Sequence, residues 1–98
     1  MTLTSKQRAY LMSLASNIDA IFQIGKSSLT PEIIEAIDAA LEKREIVKVS
    51  VLNNCLDDPK AMAEVIAERT HSVCVKVIGK KMIFYRKPKK NAKIMVPL

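Results

Sequence analysis

The sequence contains little glycine and proline, with two and four residues respectively among 98. Disordered chains are usually rich in both and poor in apolar residues, whereas 49% of this chain is hydrophobic. No run of apolar residues in the sequence approaches the length of a membrane-spanning helix, about 20 residues. Residues 1–6 also lack the apolar segment of a secretory signal peptide. We therefore expect one folded domain in the cytoplasm, with no membrane as partner.

Side chains that carry chemistry are also scarce. The single histidine, His71, has no cysteine or carboxylate at metal-ligand spacing, and Cys55 and Cys74 do not form a CxxC pair. No serine stands in a nucleophile elbow. We predict no enzymatic activity, metal, cofactor or small-molecule substrate, and two reduced, mostly buried thiols. We predict that His71 ends a helix, because histidine tolerates the left-handed backbone conformation.

The net charge of +6 is unevenly distributed. Residues 1–31 carry a net charge of +2, residues 32–69 carry −4, and residues 70–98 carry +8 with no acidic residue. A surface that contacts a polyphosphate explains this segregation. A solvated basic tail is the alternative interpretation.

Capping residues and hydrophobic periodicity predict seven elements. Thr4 and Gln7 form a capping box, while Thr30-Pro31 and Asp58-Pro59 place a capping residue before a proline at the first helical position. Gly79-Lys80-Lys81 predicts the tight turn of an antiparallel hairpin. The predicted elements are helix 5–17, strand 21–24, a helix from Pro31, strand 46–52, helix 59–70, strand 73–78 and strand 82–86.

The order α-β-α-β-α-β-β predicts one compact α/β domain, a four-stranded mixed sheet with packed helices. We assign residues 1–87 to this domain and residues 88–98 to a basic C-terminal tail. Within the tail, residues 94–97 are a candidate short edge strand.

The loop Gly25-Lys26-Ser27-Ser28 is the most informative candidate site. It joins a predicted strand to the start of a helix, where free backbone N–H groups and the helix dipole favour an anion. Gly25 permits a close approach of a phosphate, Lys26 supplies charge, and the two serines supply hydroxyl donors. An ordinary strand-to-helix turn is the alternative interpretation.

Several separated motifs resemble one known family, over about residues 3–86. In chain order they are LTSKQR at 3–8, QIGK at 23–26 before Leu29-Thr30, REIVKV at 44–49, VIGK at 77–80, Tyr85-Arg86, and a weaker match, KIMVP, at 93–97. This pattern resembles the CRM domain (chloroplast RNA splicing and ribosome maturation) in its stand-alone bacterial form. The resemblance implies a KH-like fold, similar to the C-terminal domain of translation initiation factor 3. It also implies RNA binding, and association with the precursor of the large ribosomal (50S) subunit.

The family loop has the pattern GxxG, and Ser28 replaces its closing glycine. If that position needs a positive φ, serine is strained by about 1 kcal/mol. Lys6 and Arg8 near the first helix N-terminus, and basic residues of the hairpin, extend the predicted basic surface. The predicted RNA-binding residues are Gly25, Lys26, Ser27, Ser28, Lys6, Arg8, Lys80, Lys81 and Arg86.

We therefore expect a monomeric, non-catalytic protein that binds ribosomal RNA through its phosphate backbone and assists ribosome assembly. Ribosomal proteins are candidate further partners. The alternative is a protein–protein adaptor in a ribonucleoprotein particle, using the acidic outer face of the second helix, Glu35, Asp38 and Glu42. A third class is a protein that binds anionic membranes through residues 87–98.

Overall fold

The order of helices and strands agrees with the sequence prediction. The computed structural model describes residues 2–89 and residue 94. Its elements are α1 (Ser5–Ala15), β1 (Phe22–Ile24), α2 (Pro31–Arg44), β2 (Ile46–Val51), α3 (Pro59–Thr70), β3 (Val73–Ile78) and β4 (Lys81–Tyr85). Together they form the predicted α/β domain with one four-stranded mixed sheet.

The strands are ordered β1-β2-β4-β3 across the sheet. β1 and β2 are parallel, whereas β4 lies between β2 and β3 and is antiparallel to both. Ile24 pairs with Val51, and Lys81 pairs with both Ser50 and Ile78. The carboxyl ends of β1 and β2 and the β3–β4 turn therefore lie at one end of the sheet, which we call the Gly25 end.

The two central strands of the sheet, β2 and β4, are largely buried on both faces. Met82 and Phe84 of β4 belong to the core beneath α2 and α3, whereas Ile83 and Tyr85 belong to the core beneath α1. This alternation follows from the two-residue period of a strand. Burial of both faces by helices leaves the loops at the ends of the sheet exposed for binding.

Two of the three predicted helix caps form. The Gln7 amide donates to the Thr4 hydroxyl over 3.1 Å and the Thr4 amide to the Gln7 side chain over 2.9 Å, so the capping box is confirmed. The Ile33 amide likewise donates to the Thr30 hydroxyl. α3 begins at Pro59 as predicted, but the Asp58 side chain makes no capping hydrogen bond, so that expectation is wrong.

The end of α3 confirms the role predicted for the histidine. His71 has φ 54° and ψ 39°, in the left-handed region, and its amide closes the last turn onto α3 carbonyls. The two cysteines carry free thiols; Cys55 is buried and Cys74 is half-buried.

α3, β3 and the start of α2 have the predicted boundaries, whereas α1, β1, β2 and β4 differ by one or two residues. α1 ends at Ala15 rather than at residue 17, and the Lys48 ammonium donates to the carbonyls of Ala15 and Ile18 over 3.2 and 3.3 Å. This contact from β2 adds a donor to the last carbonyl of α1, which also accepts from the Ile18 amide, and to the Ile18 carbonyl just beyond the helix.

The predicted tail falls largely beyond the described part of the chain. Residues 90–93 and 95–98 lie outside the described residues, and so does the candidate strand 94–97 except for Ile94. The Ile94 amide donates to the buried Glu45 carboxylate over 2.9 Å, and Ile94 packs on the core beneath α1. The boundary between domain and tail stays a prediction.

Candidate nucleic-acid interface

The loop from Gly25 to Ser28 forms a tight turn between β1 and α2. The Ser28 amide donates to the Gly25 carbonyl over 2.9 Å, and Ser28 has φ 56°. The amides of Lys26 and Ser27 make no hydrogen bond within the described part of the chain. Both side chains are exposed. The turn therefore presents two N–H donors, a hydroxyl group and an ammonium group to solvent, which is a suitable arrangement for binding an anion.

Gly25 lies close to the side chains of the next loop. A Cβ atom at this position would lie 3.3 Å from Asn54 Oδ1 and 3.5 Å from Leu52 Cδ1. Its φ is not positive, so space rather than backbone conformation favours glycine here. The connection between β2 and α3, residues 52–58, is thus packed against the turn.

A second contact joins these two loops. The Ser28 hydroxyl donates to the Asp57 carboxylate, and the same hydroxyl lies 3.6 Å from Met62 Sδ in α3. The turn is therefore held to the β2–α3 connection at its last residue.

The hairpin brings two lysines to the same end of the sheet. Gly79, with φ 57°, and Lys80 form its turn. The Lys80 carbonyl accepts from the Val51 amide over 2.7 Å, and the Lys80 ammonium donates to Asn53 Oδ1 over 2.9 Å. Lys81 is exposed at the start of β4. The structure thus places six of the nine predicted residues, 25–28, 80 and 81, at the Gly25 end.

Lys6 and Arg8 lie elsewhere, at the start of α1. The Arg8 guanidinium donates to the carbonyl of Cys74, over 3.0 Å, and to the carbonyl of Val75, where the β3–β4 register is irregular. Cys74 is four residues before Ile78 in β3, about 13 Å from the Gly25 end at strand spacing. Lys6 is exposed in the first turn of the helix.

Arg86 lies at the opposite end of β4. Its guanidinium donates to the Asp38 carboxylate over 2.5 Å, to the carbonyls of Thr70 and Asp38, and to Glu42 Oε1 over 3.4 Å. Only 17% of its side chain is exposed. Two of the three carboxylates on the outer face of α2 are therefore ion-paired within the chain.

Sequence reasoning missed the β2–α3 connection as part of this site. Asn53, Asn54 and Asp57 contact the hairpin, Gly25 and Ser28 respectively. The sequence contained a signal for it, namely the polar residues that directly follow β2. Because β2 is parallel to β1, these residues must lie at the same end of the sheet as the turn that follows β1.

Among the residues described, two titratable groups away from the Gly25 end, Cys74 and Tyr85, have shifted pKa values. Burial raises the pKa of the Cys74 thiol, although the Arg8 guanidinium and a hydrogen bond from the Lys76 backbone act in the opposite direction. Burial and the Glu45 carboxylate raise the pKa of the Tyr85 phenol. Both groups are therefore protonated at neutral pH.

Within residues 2–89 and 94, no three or more His, Cys, Asp or Glu side chains are grouped so as to hold a metal ion. No helix in that part of the chain is long and apolar enough to cross a membrane.

Comparison with known proteins identifies the family. Residues 3–86 match the model of the CRS1 / YhbY (CRM) domain. The chain is 40% identical to "Probable RNA-binding protein YqeI" of Bacillus subtilis, over 97% of this chain and 99% of that one. It is 30% identical to "RNA-binding protein" of Haemophilus influenzae, over 98% and 96% respectively.

A solved structure agrees with this match. The solution structure of the hypothetical protein SAV1595 from Staphylococcus aureus has a TM-score of 0.82 and 50% sequence identity to this chain. The similarity covers 98% of this chain and 100% of that one. Fold and sequence together show that the chain belongs to the CRS1 / YhbY (CRM) domain family.

Proposed function

We propose that this chain is a non-catalytic RNA-binding protein whose Gly25 end holds the phosphate backbone. The observation that carries the proposal is the turn at residues 25–28, with two unpaired amides and the exposed Lys26, at the same end of the sheet as Lys80 and Lys81. The similar proteins of Bacillus subtilis and Haemophilus influenzae are named "Probable RNA-binding protein YqeI" and "RNA-binding protein".

In this proposal the turn acts as a GxxG-like loop, in a KH-like manner. The amides of Lys26 and Ser27 donate to phosphate oxygens, and the three lysines neutralise phosphate charge. The Ser27 hydroxyl is a further donor, whereas the Ser28 hydroxyl is engaged with Asp57.

Aromatic stacking contributes little to this binding mode. Phe84 and Tyr85 are buried, and Tyr10 and Phe22 are partly buried against the two cores. Binding through phosphate contacts is then sensitive to salt and weakly dependent on base sequence.

The remaining predicted residues have different roles in the proposal. Lys6, which is exposed on α1, extends the basic surface. Arg8 and Arg86 use their guanidinium groups within the fold, on β3 carbonyls and on α2 carboxylates. We therefore assign these two arginines to stabilisation of the fold rather than to RNA contact.

Charge reversal at Lys26 tests the phosphate-binding role. We expect Lys26→Glu to weaken binding of a fluorescein-labelled single-stranded RNA by about tenfold or more, through lost attraction and added repulsion. Lys43→Glu is the matched control, because Lys43 is an exposed lysine in the last turn of α2, at the opposite end of the sheet. Equal losses in the two variants would show that only net charge matters.

The cellular target in this proposal is the precursor of the large ribosomal subunit, bound by a monomer in the cytoplasm. The resemblance to the stand-alone bacterial CRM form supports this target. A sucrose gradient of cell lysate at low salt tests it, with the protein expected in particles at or below the large subunit. A protein that stays at the top of the gradient, free of RNA, would rule out ribosome assembly.

The adaptor function is less favoured by the contacts of α2. Asp38 and Glu42 already bind Arg86, so the outer face of the helix offers a basic partner less charge than its sequence implies.

A further inference from the structure

We propose that Asp57 is a positioning residue, which holds the RNA-binding turn in its working conformation through Ser28. The inference rests on the proposed function, because it concerns the same turn. Asp57 itself does not touch the RNA in this scheme.

The turn needs such support because of its last residue. Ser28 has φ 56°, a conformation that L-residues other than asparagine and aspartate seldom adopt without compensation. The Ser28 amide closes the turn onto the Gly25 carbonyl, so loss of the left-handed conformation would also open the turn that presents the Lys26 and Ser27 amides.

Asp57 supplies the compensation from the neighbouring loop. Its carboxylate accepts a hydrogen bond from the Ser28 hydroxyl, and it directly precedes Asp58 and Pro59, where α3 begins. α3 is fixed to the core by Met62, Ala63 and Ile66, so the acceptor is anchored to a rigid element.

Because Asp57 is negatively charged, the direction in which its removal changes the RNA affinity tests the inference. A carboxylate beside a phosphate site repels the ligand, and its removal should strengthen binding if it has no other role. If Asp57 positions the turn, removal should weaken binding instead. Asp58 is a matched control, since it is an exposed carboxylate one residue away whose side chain forms no capping hydrogen bond.

The conformational argument predicts rescue at position 28. Glycine adopts a positive φ without steric cost, so a glycine at position 28 keeps the turn without an anchor. Asp57 should then be dispensable in the Ser28→Gly background. Asp57→Asn keeps an acceptor oxygen but removes the charge, so it should preserve binding.

The experiment measures affinity for a fluorescein-labelled single-stranded RNA with five variants and the wild type. We expect Asp57→Ala to weaken binding about fivefold, and Asp58→Ala to leave it unchanged or stronger. Asp57→Asn should match or exceed the wild type, and the double variant D57A/S28G should bind at least as tightly as S28G. Urea unfolding of each variant verifies that it is folded.

Two results would overturn the inference. The first is an increase in RNA affinity in D57A that equals the increase in D58A. The second is a loss of RNA affinity on changing Asp57 to alanine that is equally large with serine and with glycine at position 28. Amide exchange and ¹⁵N relaxation of residues 26–28 in the RNA-free protein measure the mobility of the turn independently of binding. We expect faster motion of these residues in D57A than in the wild type, and no such increase in D57A/S28G. If the wild type bound no RNA, the proposed function would fail, and these NMR data would still decide whether Asp57 holds the turn.

Discussion

At the scale of single residues, three non-glycine residues among those that the structure describes have a positive φ, and each is held by hydrogen bonds. They are Ser28, Glu45 and His71, with φ 56°, 67° and 54°. Glu45 is buried, its carbonyl accepts from the Arg86 amide over 2.9 Å, and its carboxylate accepts from Ile94. Ser28 differs from the other two because its compensating contact lies in the proposed binding site.

Arg8, which the sequence predicts to bind RNA, uses its side chain within the fold. Because its guanidinium satisfies two β3 carbonyls, we expect Arg8→Ala to lower the free energy of unfolding by about 2 kcal/mol. Lys6→Ala, in the same turn of α1, removes an exposed lysine and should change the free energy of unfolding by less than about 0.5 kcal/mol. Urea unfolding of both variants measures this, and equal stability of the two would contradict the structural role of Arg8.

At the scale of elements, the starts of α1 and α3 differ in how they are capped. Thr4 makes both hydrogen bonds of a capping box, whereas the Asp58 side chain makes none. We expect Thr4→Ala to lower the free energy of unfolding by about 1 kcal/mol. Asp58→Ala should lower it by only a few tenths of a kcal/mol. Equal losses in thermal or urea unfolding would show that Asp58 also caps its helix in solution.

The sequence was sufficient to predict the elements because each signal is local. Proline at the first position of α2 and α3, the glycine turn before β4 and the β-branched run of β2 each depend only on neighbouring residues. The end of α1 could not be predicted in this way, because the Lys48 ammonium that donates to the carbonyls of Ala15 and Ile18 comes from β2. The position of β4 between β2 and β3 likewise depends on pairing between distant segments.

At the scale of the whole molecule, the structure separates basic residues that look equivalent in the sequence. Lys80 and Lys81 lie at the Gly25 end, whereas Arg86, five residues later, lies at the opposite end in ion pairs with α2. The net charge of +8 over residues 70–98 therefore does not form a single surface among the residues described.

Only part of the candidate site could be predicted from the sequence, because the rest depends on contacts between distant segments. The turn at residues 25–28 could be recognised from its strand, its glycine and its lysine. The contribution of residues 52–58 depends on the pairing of Ile24 with Val51, which brings the two connections together. Without this pairing, Asp57 indicates only the start of a helix.

The most direct test of the account is an NMR titration of the ¹⁵N-labelled protein with single-stranded RNA. If the Gly25 end binds the phosphate backbone, the largest amide shift changes should fall in residues 25–28 and 79–81, with smaller ones in residues 53–54. Residues 35–42 on α2 should change little. Largest changes on the outer face of α2, with the turn at Gly25 unaffected, would contradict the account.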